Sequence, residues 1–156
     1  MRLNEMKEGL LLWGVPACKG IKEIKERMQD NRDLYVLVPE MQPYLFGLEV
    51  ARRLAKENIK HLYATDNMLG ILFFKQKIKE VLFFYKDLTD QKFWGICGSL
   101  YVCLLARLHH VSIKPLQGEK MVRSAQAASL LDEYMSFRCD DALPAEDEAV
   151  PEGIIR

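Results

Sequence analysis

The chain has 156 residues, of which 49% are hydrophobic and 28% charged, which suits one folded domain and leaves little room for a second. Its 22 basic and 22 acidic residues cancel to a formal net charge of zero, which argues against a nucleic-acid partner because binding phosphates requires a surplus of Lys and Arg. No apolar run reaches the ~18 residues needed to cross a bilayer and the charged start lacks the form of a signal peptide, so we expect a cytoplasmic protein without membrane contact.

The first half of the chain alternates short apolar runs with segments of helical periodicity. Residues 10–13, Leu-Leu-Leu-Trp, predict a buried strand that ends at Gly14. Over 17–30, apolar residues recur three and four positions apart, which is the pattern of one helix face. Residues 34–38 form a continuous apolar run closed by a proline, the clearest strand in the sequence. A second helix is predicted over 44–58.

The second half repeats the same unit. His61–Ala64 predicts a strand, and a helix capped by Thr65 or Asp66 follows it toward Gln76. The remaining strands and helices are predicted over 81–84, Ser99–Leu108, 111–114 and 124–137. Because strand and helix alternate about five times, the strands must be parallel, with right-handed crossovers and helices on both faces. The predicted fold class is α/β, a single doubly wound, mostly parallel sheet of Rossmann-like type.

The tail, 139–156, differs in composition from the rest of the chain. It contains six acidic residues and one basic residue, a net charge of −5 from 1 − 6. With two prolines and no apolar periodicity, it is predicted to be an extended acidic arm that follows a Rossmann-like domain over 1–138. Its last apolar residues, within 150–155, could dock on the domain or on a partner.

Metal and cofactor chemistry find little support in the sequence. The four cysteines lie far apart, without C-x-x-C spacing: Cys18, Cys97, Cys103 and Cys139. In a cytosolic protein such residues are typically reduced thiols that fill small spaces in the core. Dinucleotide-binding, P-loop and hydrolase motifs do not occur. We predict neither a metal site nor a cofactor.

Three short motifs occur where a predicted strand is followed by a helix. Segment 40–47 reads Glu-Met-Gln-Pro-Tyr-Leu-Phe-Gly, segment 65–68 reads Thr-Asp-Asn-Met, and segment 98–100 reads Gly-Ser-Leu. In this order and spacing they resemble the C-terminal half of the family that contains methylthioribose-1-phosphate isomerases and the regulatory subunits of translation initiation factor 2B. The first segment is similar to the family's Glu-Thr-Arg-Pro-Leu-Leu-Gln-Gly at four positions. The second is a full match, and the third resembles a Gly-Thr-Tyr turn.

The loops that lead from these strands into the helices are expected to form a binding site on physical grounds. In an open parallel sheet, ligands bind beyond the carboxyl ends of the strands, where Glu40, Asp66, Asn67 and Ser99 are expected to lie. Gly98 and Ser99 begin a helix whose free amides favour a phosphate or a carboxylate. The candidate ligand-binding residues are therefore Glu40, Asn67, Gly98 and Ser99, and the resemblance implies a phosphorylated small molecule as the ligand. The structural alternative is that Asp66 and Ser99 are ordinary helix caps.

The catalytic positions implied by the resemblance are not matched. The isomerases have a Cys upstream of the matched region, an Asp in a Gly-Ala-Asp motif and an Asn-Lys pair before the Gly-Thr turn. Here residues 1–9 contain no cysteine, Tyr85 stands at the position of the acid, and Gly95 and Ile96 replace the Asn-Lys pair. A phenol with a pKa near ~10 cannot act as the carboxylate base at neutral pH. We therefore expect that the protein lacks isomerase activity.

Two alternatives stay open. If the protein is an enzyme, it is an aldose–ketose isomerase acting on a sugar phosphate, with Asp66 and Asp87 as its catalytic residues. Asp87 lies two residues beyond Tyr85, so a small loop shift could bring its carboxylate into the site. Alternatively, Asp87 and Lys86 could form a solvent-exposed turn without a role in catalysis. In the other alternative, a second chain completes the site.

The leading hypothesis is a non-catalytic, self-associating binding or regulatory domain. The helix Ser99–Leu108 is apolar nearly all round, which a surface helix cannot sustain. Either it is buried on all sides, or one side meets a second copy. Zero net charge removes long-range repulsion between copies. We predict a homodimer that buries more than ~1,000 Å² around an apolar centre.

Overall fold

The computed structural model describes residues 7–31, 33–119 and 147–156. Five strands form one parallel sheet in the order β3–β2–β1–β4–β7, which confirms the predicted α/β fold class. The elements follow in chain order: β1 (Gly9–Trp13), α1 (Cys18–Asp30), β2 (Tyr35–Pro39), α2 (Phe46–Lys56), β3 (His61–Ala64), a 3-10 turn (Asp66–Met68), α3 (Leu69–Phe74), β4 (Ile78–Tyr85), β5 (Asp87–Thr89), β6 (Lys92–Ile96), α4 (Ser99–Leu108), β7 (Ser112–Gln117), β8 (Asp147–Pro151) and α5 (Glu152–Ile155). The helix predicted over 124–137 lies outside the described residues.

The central strands owe their position to their continuous apolar sequences. Leu10 to Trp13 in β1 are at most 2% exposed, and residues 81–84 in β4 are at most 1% exposed. Strands that are apolar at every position require cover on both faces, which a doubly wound sheet supplies. The pair β2–β3 is parallel, with Leu37 opposite Leu62, as the sequence predicts. The edge strands β3 and β7 are the more exposed ones.

A second, three-stranded antiparallel sheet, β5–β6–β8, is not predicted from the sequence. Its hairpin turns at Asp90 and Gln91, whose φ angles of +50° and +59° match a turn that usually carries Asn-Gly. The ring of Phe93 in β6 packs edge-on against the rings of Phe83 and Tyr85, with centroid separations of 6.4 and 4.9 Å. These aromatic contacts join the small sheet to the end of β4.

The last ten residues are integrated into the domain. β8 pairs with β6 along its whole length, Val150 is fully buried and Ile155 is 9% exposed. The guanidinium of Arg107 in α4 donates to the carbonyl of Gly153 at 2.8 Å. The proposed boundary at residue 138 stays a prediction, because residues 120–146 lie outside the described part. No helix in the described ranges is long and apolar enough to cross a membrane.

Candidate functional site

The crevice between β1 and β4 is filled by the chain itself. This is the point at which strand order reverses and where doubly wound sheets usually bind ligands. Gly14 has φ +91°, and a Cβ added there would lie 2.2 Å from the carbonyl oxygen of Phe84. Gly118, just beyond β7, donates its amide to the carbonyl of Tyr85 at 2.7 Å and bridges to the loop after β1. Any ligand site at this edge must therefore lie to the side of the crevice.

Asp66 holds the loop that follows β2. Its Oδ1 accepts the amide hydrogen of Met41 at 2.9 Å, and its Oδ2 accepts that of Gln42 at 2.7 Å. The structure thereby brings together two sequence-predicted residues, Glu40 and Asp66, at the carboxyl ends of β2 and β3. The pKa of Tyr63 is raised by its partial burial and by the negative charges of Glu40 and Asp66. Asn67, the next predicted residue, is exposed beside this pair.

The loop held by Asp66 has an unusual backbone. Met41 and Leu45 both have φ +57°, in the left-handed region that non-glycine residues rarely adopt. Between them lies a cis peptide bond from Gln42 to Pro43. Left-handed non-glycine residues cost about 1–3 kcal/mol each and cluster at functional sites, where surrounding contacts hold them. Here the two hydrogen bonds to the Asp66 carboxylate are such contacts, so this side chain shapes the site.

The turn before α4 brings a second group of predicted residues to the same end of the molecule. Gly98 has φ +86°, and Ser99 is fully buried. The Ser99 hydroxyl accepts the indole hydrogen of Trp13 at 3.1 Å and donates to the carbonyl of Ile96 at 2.5 Å. Since this side chain points into the core, the helix presents backbone amides instead. The amide of Leu100 donates to Oε2 of Glu148 at 3.0 Å.

Lys86 is a cation that the sequence reasoning misses as a site residue. It follows β4, and its side chain is only 9% exposed. Its ammonium pairs with the carboxylate of Asp147 in β8 and lies 5.9 Å from the ring centroid of Phe46, the first residue of α2. In a sequence, a lysine beside an aspartate in a short linking segment is typical of a solvent-exposed turn. The sequence therefore does not predict that the side chain of Lys86 is buried.

The positions of the missing isomerase residues are packed into the protein. The ring of Tyr85 packs against Phe93, and Ile96 is 2% exposed. A Cβ on Gly95 would lie 2.3 Å from Oγ of Ser99 and 2.9 Å from Cζ of Phe83. Gly95 therefore has no room for an asparagine side chain, position 96 offers a lysine ammonium almost no contact with water, and position 85 carries a packed phenol in place of a carboxylate.

The two predicted catalytic carboxylates belong to different parts of the structure. Asp66 is tied to the loop after β2, as described above. Asp87 begins β5 opposite Trp94, is exposed and accepts the amide hydrogen of Leu88 at 2.8 Å. The contacts of Asp87 are those of a hairpin residue, and they do not link it to Asp66.

The thiols of the described residues are free, as Cys18, Cys97 and Cys103 have no disulfide partner there. Burial raises the pKa of Cys97, and the negative charges of Glu148 and Asp66 raise it further. Burial, with Glu148, raises the pKa of Cys103 to about 12. Both thiols are therefore protonated at neutral pH and are poor nucleophiles. Within the described ranges, no three His, Cys, Asp or Glu side chains are grouped as metal ligands.

These features define a class: a Rossmann-like α/β domain whose candidate site lies at the carboxyl edge of the sheet, beneath a small antiparallel sheet. The chain belongs to the initiation factor 2 subunit family, whose model matches residues 19–115. This agrees with the resemblance found in the sequence motifs. No curated protein sequence matches the chain significantly.

Solved structures of two kinds share the fold. Translation initiation factor eIF-2B subunit delta from A. fulgidus is similar with a TM-score of 0.70 and 13% identity, over 96% of this chain and 50% of that one. The 5-methylthioribose 1-phosphate isomerase from Pyrococcus horikoshii OT3 has a TM-score of 0.68 and 13% identity, over 97% and 49% of the two chains. The P. horikoshii translation initiation factor eIF-2B has a TM-score of 0.59 and 14% identity, over 96% and 55%. The chain thus spans about half the length of these proteins.

Proposed function

We propose that this chain is a non-catalytic, self-associating cytoplasmic domain that binds a phosphorylated small molecule at the carboxyl edge of its sheet. The observation that carries the proposal is the packing of Tyr85, Gly95 and Ile96. An isomerase needs a general base and a phosphate-binding cation that converge on the substrate. At these three positions the chain has a phenol in an aromatic contact, a glycine without room for a side chain, and a buried isoleucine.

The ligand class is supported by the positive groups at this edge. The Lys86 ammonium and the Leu100 amide both hold carboxylates, and a phosphate forms the same charge-assisted hydrogen bonds. In our proposal Glu40 and Asn67 hydrogen-bond the hydroxyl groups of the ligand from the ends of β2 and β3. Gly98 and Ser99 contribute through their backbone.

The alternative, an aldose–ketose isomerase, is favoured by one observation. Asp66 and Asn67 belong to a segment that fully matches the isomerase motif, and Asp66 is partly buried at the sheet edge. However, both carboxylate oxygens of Asp66 already accept amide hydrogens. Asp87 is exposed in the hairpin. Asp66 is therefore not free to shuttle a proton without rearrangement of the loop that it supports, and no contact brings Asp87 to it.

Isomerase turnover is the direct test. We expect no turnover above background on methylthioribose-1-phosphate or ribose-1,5-bisphosphate, because the carboxylate and the Asn-Lys pair are absent. Product formation is measured by chromatography at high protein concentration. A rate that disappears in Asp66→Asn but persists in the hairpin control Asp90→Asn would make the isomerase the correct function.

Self-association is supported by an exposed apolar surface on two adjacent helices. One side of α4 is buried, including Val102, Cys103 and Ala106, each 0% exposed. The other side, together with the α3 that packs against α4, forms what we call the α3–α4 face. Its large apolar side chains are exposed by 40% to 70%: Ile71, Phe74, Tyr101, Leu104 and Leu108. Exposed apolar patches of this kind mark interaction sites, and a second copy is the partner we propose.

A single substitution on the α3–α4 face tests the dimer. Leu108 is 70% exposed at the end of α4, where a lysine is compatible with the helix dipole. We expect Leu108→Lys to weaken dimerisation by about 2 kcal/mol or more, roughly 30-fold in dissociation constant, because the most exposed apolar side chain of the α3–α4 face is replaced by a charged one. Sedimentation equilibrium measures this constant. Leu88→Lys, on an exposed leucine of β5, is the control and should leave it unchanged; a monomeric wild-type chain at tens of micromolar would contradict the proposal.

A further inference from the structure

The exposed apolar side chains of the α3–α4 face form two short rows, one on each helix. Residues three or four positions apart lie on the same side of a helix. The rows consist of Met68, Ile71 and Phe74 on the 3-10 turn and α3, and of Tyr101, Leu104 and Leu108 on α4. The two helices pack against each other, and each precedes a strand of one parallel pair, β4 or β7. Both rows therefore run in the same direction, away from the candidate site.

This arrangement matches itself when a second copy is turned by 180°. In a two-fold symmetric dimer, both copies use the same surface. When the helices of the two copies are antiparallel, Met68 lies opposite the partner's Phe74, and Tyr101 lies opposite the partner's Leu108. The middle residue of each row then lies near the symmetry axis. The two most exposed apolar side chains, Phe74 at 66% and Leu108 at 70%, are covered in this dimer.

The two ends of the α3–α4 face carry opposite charge. Burial raises the pKa of the Cys97 thiol just before α4, and the negative charges of Glu148 and Asp66 raise it further, so the end at the candidate site is negative. At the other end, Lys75 follows α3 and Arg107 lies in the last turn of α4. Antiparallel pairing brings each basic end onto an acidic end and opposes the helix dipoles. Charge complementarity therefore favours a second copy in this orientation.

The candidate site gains from a further cation. Its two positive groups are already partnered, since the Lys86 ammonium pairs with Asp147 and the Leu100 amide donates to Glu148. A phosphate at this edge also meets the negative charge that surrounds it. Lys75 is exposed, and within the described part of the chain its ammonium forms no ion pair and lies 5.5 Å from the ring centroid of the neighbouring Phe74.

We propose that a second copy docks antiparallel on the α3–α4 face and that the partner's Lys75 completes the ligand site. The inference rests on the proposed function, because it names the partner and the phosphate-binding cation of that same site. The partner's Lys75 directly follows the residue that packs on Met68, and Met68 directly follows the candidate ligand-binding residue Asn67. A ten-residue helix is only about 15 Å long, so one small interface spans both ends of the face. The site is complete only in the dimer.

Binding of ribose-1,5-bisphosphate by a lysine variant is the first measurement. Lys75→Met should weaken binding about tenfold or more, the usual effect of losing one charge-assisted hydrogen bond. Lys75→Arg keeps the charge and should keep most of the affinity. The matched control is Lys22→Met, on an exposed lysine of α1, and it should bind as the wild-type chain does. Isothermal titration calorimetry gives the constants, at concentrations where sedimentation equilibrium shows dimers.

A mixture of two defective variants distinguishes a shared site from a site within one copy. Asn67→Glu places a carboxylate at an exposed position of the site and should repel the phosphate of the probe. In a mixed dimer of Asn67→Glu with Lys75→Met, one of the two sites has both native residues. Random mixing is therefore expected to restore wild-type affinity to about a quarter of all sites, although each variant alone binds weakly.

The other outcomes separate this inference from the proposed function. If the Lys75→Met dimer binds the probe as tightly as wild type, or the mixture restores no sites, the contribution of the partner is wrong, whereas the ligand class and self-association stand. A wild-type dimer that does not bind the probe overturns both the ligand class and this inference. A wild-type monomer that binds the probe overturns self-association and this inference, and leaves the ligand class in place.

Discussion

Gly95→Asn combined with Ile96→Lys, which restores the isomerase pair, is expected to destroy the cooperative fold rather than create activity. Ile96 is 2% exposed, and an unpaired ammonium buried there costs at least about 3–5 kcal/mol. The asparagine Cβ would lie 2.3 Å from Oγ of Ser99, which displaces a hydroxyl that is hydrogen-bonded on both sides. Together these costs approach the whole stability of a typical domain, about 5–15 kcal/mol. Urea denaturation followed by circular dichroism measures the loss.

The matched control for this variant is Leu88→Lys in β5. Leu88 belongs to the same hairpin but is 43% exposed, and surface substitutions of this kind change stability by about 0.5 kcal/mol or less. A lysine at position 96 could reach Asp147, which lies opposite it, only by taking this carboxylate from Lys86. A double variant with an unchanged unfolding midpoint would show that β6 accepts the isomerase pair and would remove the main support for a non-catalytic domain.

Trp13→Ala is expected to lower the free energy of unfolding by about 3–5 kcal/mol, the usual cost of truncating a fully buried aromatic side chain. Trp13 is 2% exposed at the end of β1 and connects that strand to the beginning of α4 through its hydrogen bond to Ser99. The substitution therefore leaves a cavity at the point where the large sheet supports the Gly98–Ser99 turn. The measurement is again urea denaturation by circular dichroism.

Trp13→Phe separates the two contributions of the indole. It keeps most of the ring volume but removes the N–H donor, so it should cost about 1–2 kcal/mol for the lost hydrogen bond and the smaller ring. A loss as large as that of Trp13→Ala would mean that the bond to Ser99, and not the packing, fixes the position of α4. A negligible loss in both variants would contradict the importance of this contact.

The strands with a continuous apolar signal were correctly predicted. The apolar runs 10–13 and 81–84 lie within β1 and β4, because runs covered on both faces of a sheet are recognised without knowledge of their neighbours. His61–Ala64 and Ser99–Leu108 also have their predicted bounds. The helix predicted over 44–58 begins later, at Phe46, since Leu45 has a left-handed backbone. The small sheet was missed because its turn has Asp-Gln in place of the usual Asn-Gly signal.

Only the part of the site that lies directly at the ends of the strands was predicted from the sequence. The carboxyl ends of parallel strands meet at one edge, which is why Glu40 and Asp66 could be expected together. The roles of Lys86 and Glu148 depend on the pairing of β6 with β8, and nothing in a short acidic tail predicts which strand it joins. The buried side chain of Ser99 depends on Trp13, 86 positions earlier in the chain. Such contacts are tertiary, and local pattern does not encode them.

The small sheet also bears on how the chain is made. β8 follows β6 only after the 50 residues 97–146, so during synthesis the hairpin β5–β6 exists before its third strand does. Until then β6 is an open edge that carries Phe93 and Ile96, both of which end up 2% exposed, and unpaired apolar edges of this kind invite aggregation of nascent chains. The synthesis of β8 therefore does more than lengthen the polypeptide, because its pairing with β6 covers the sheet edge that the growing chain had left open.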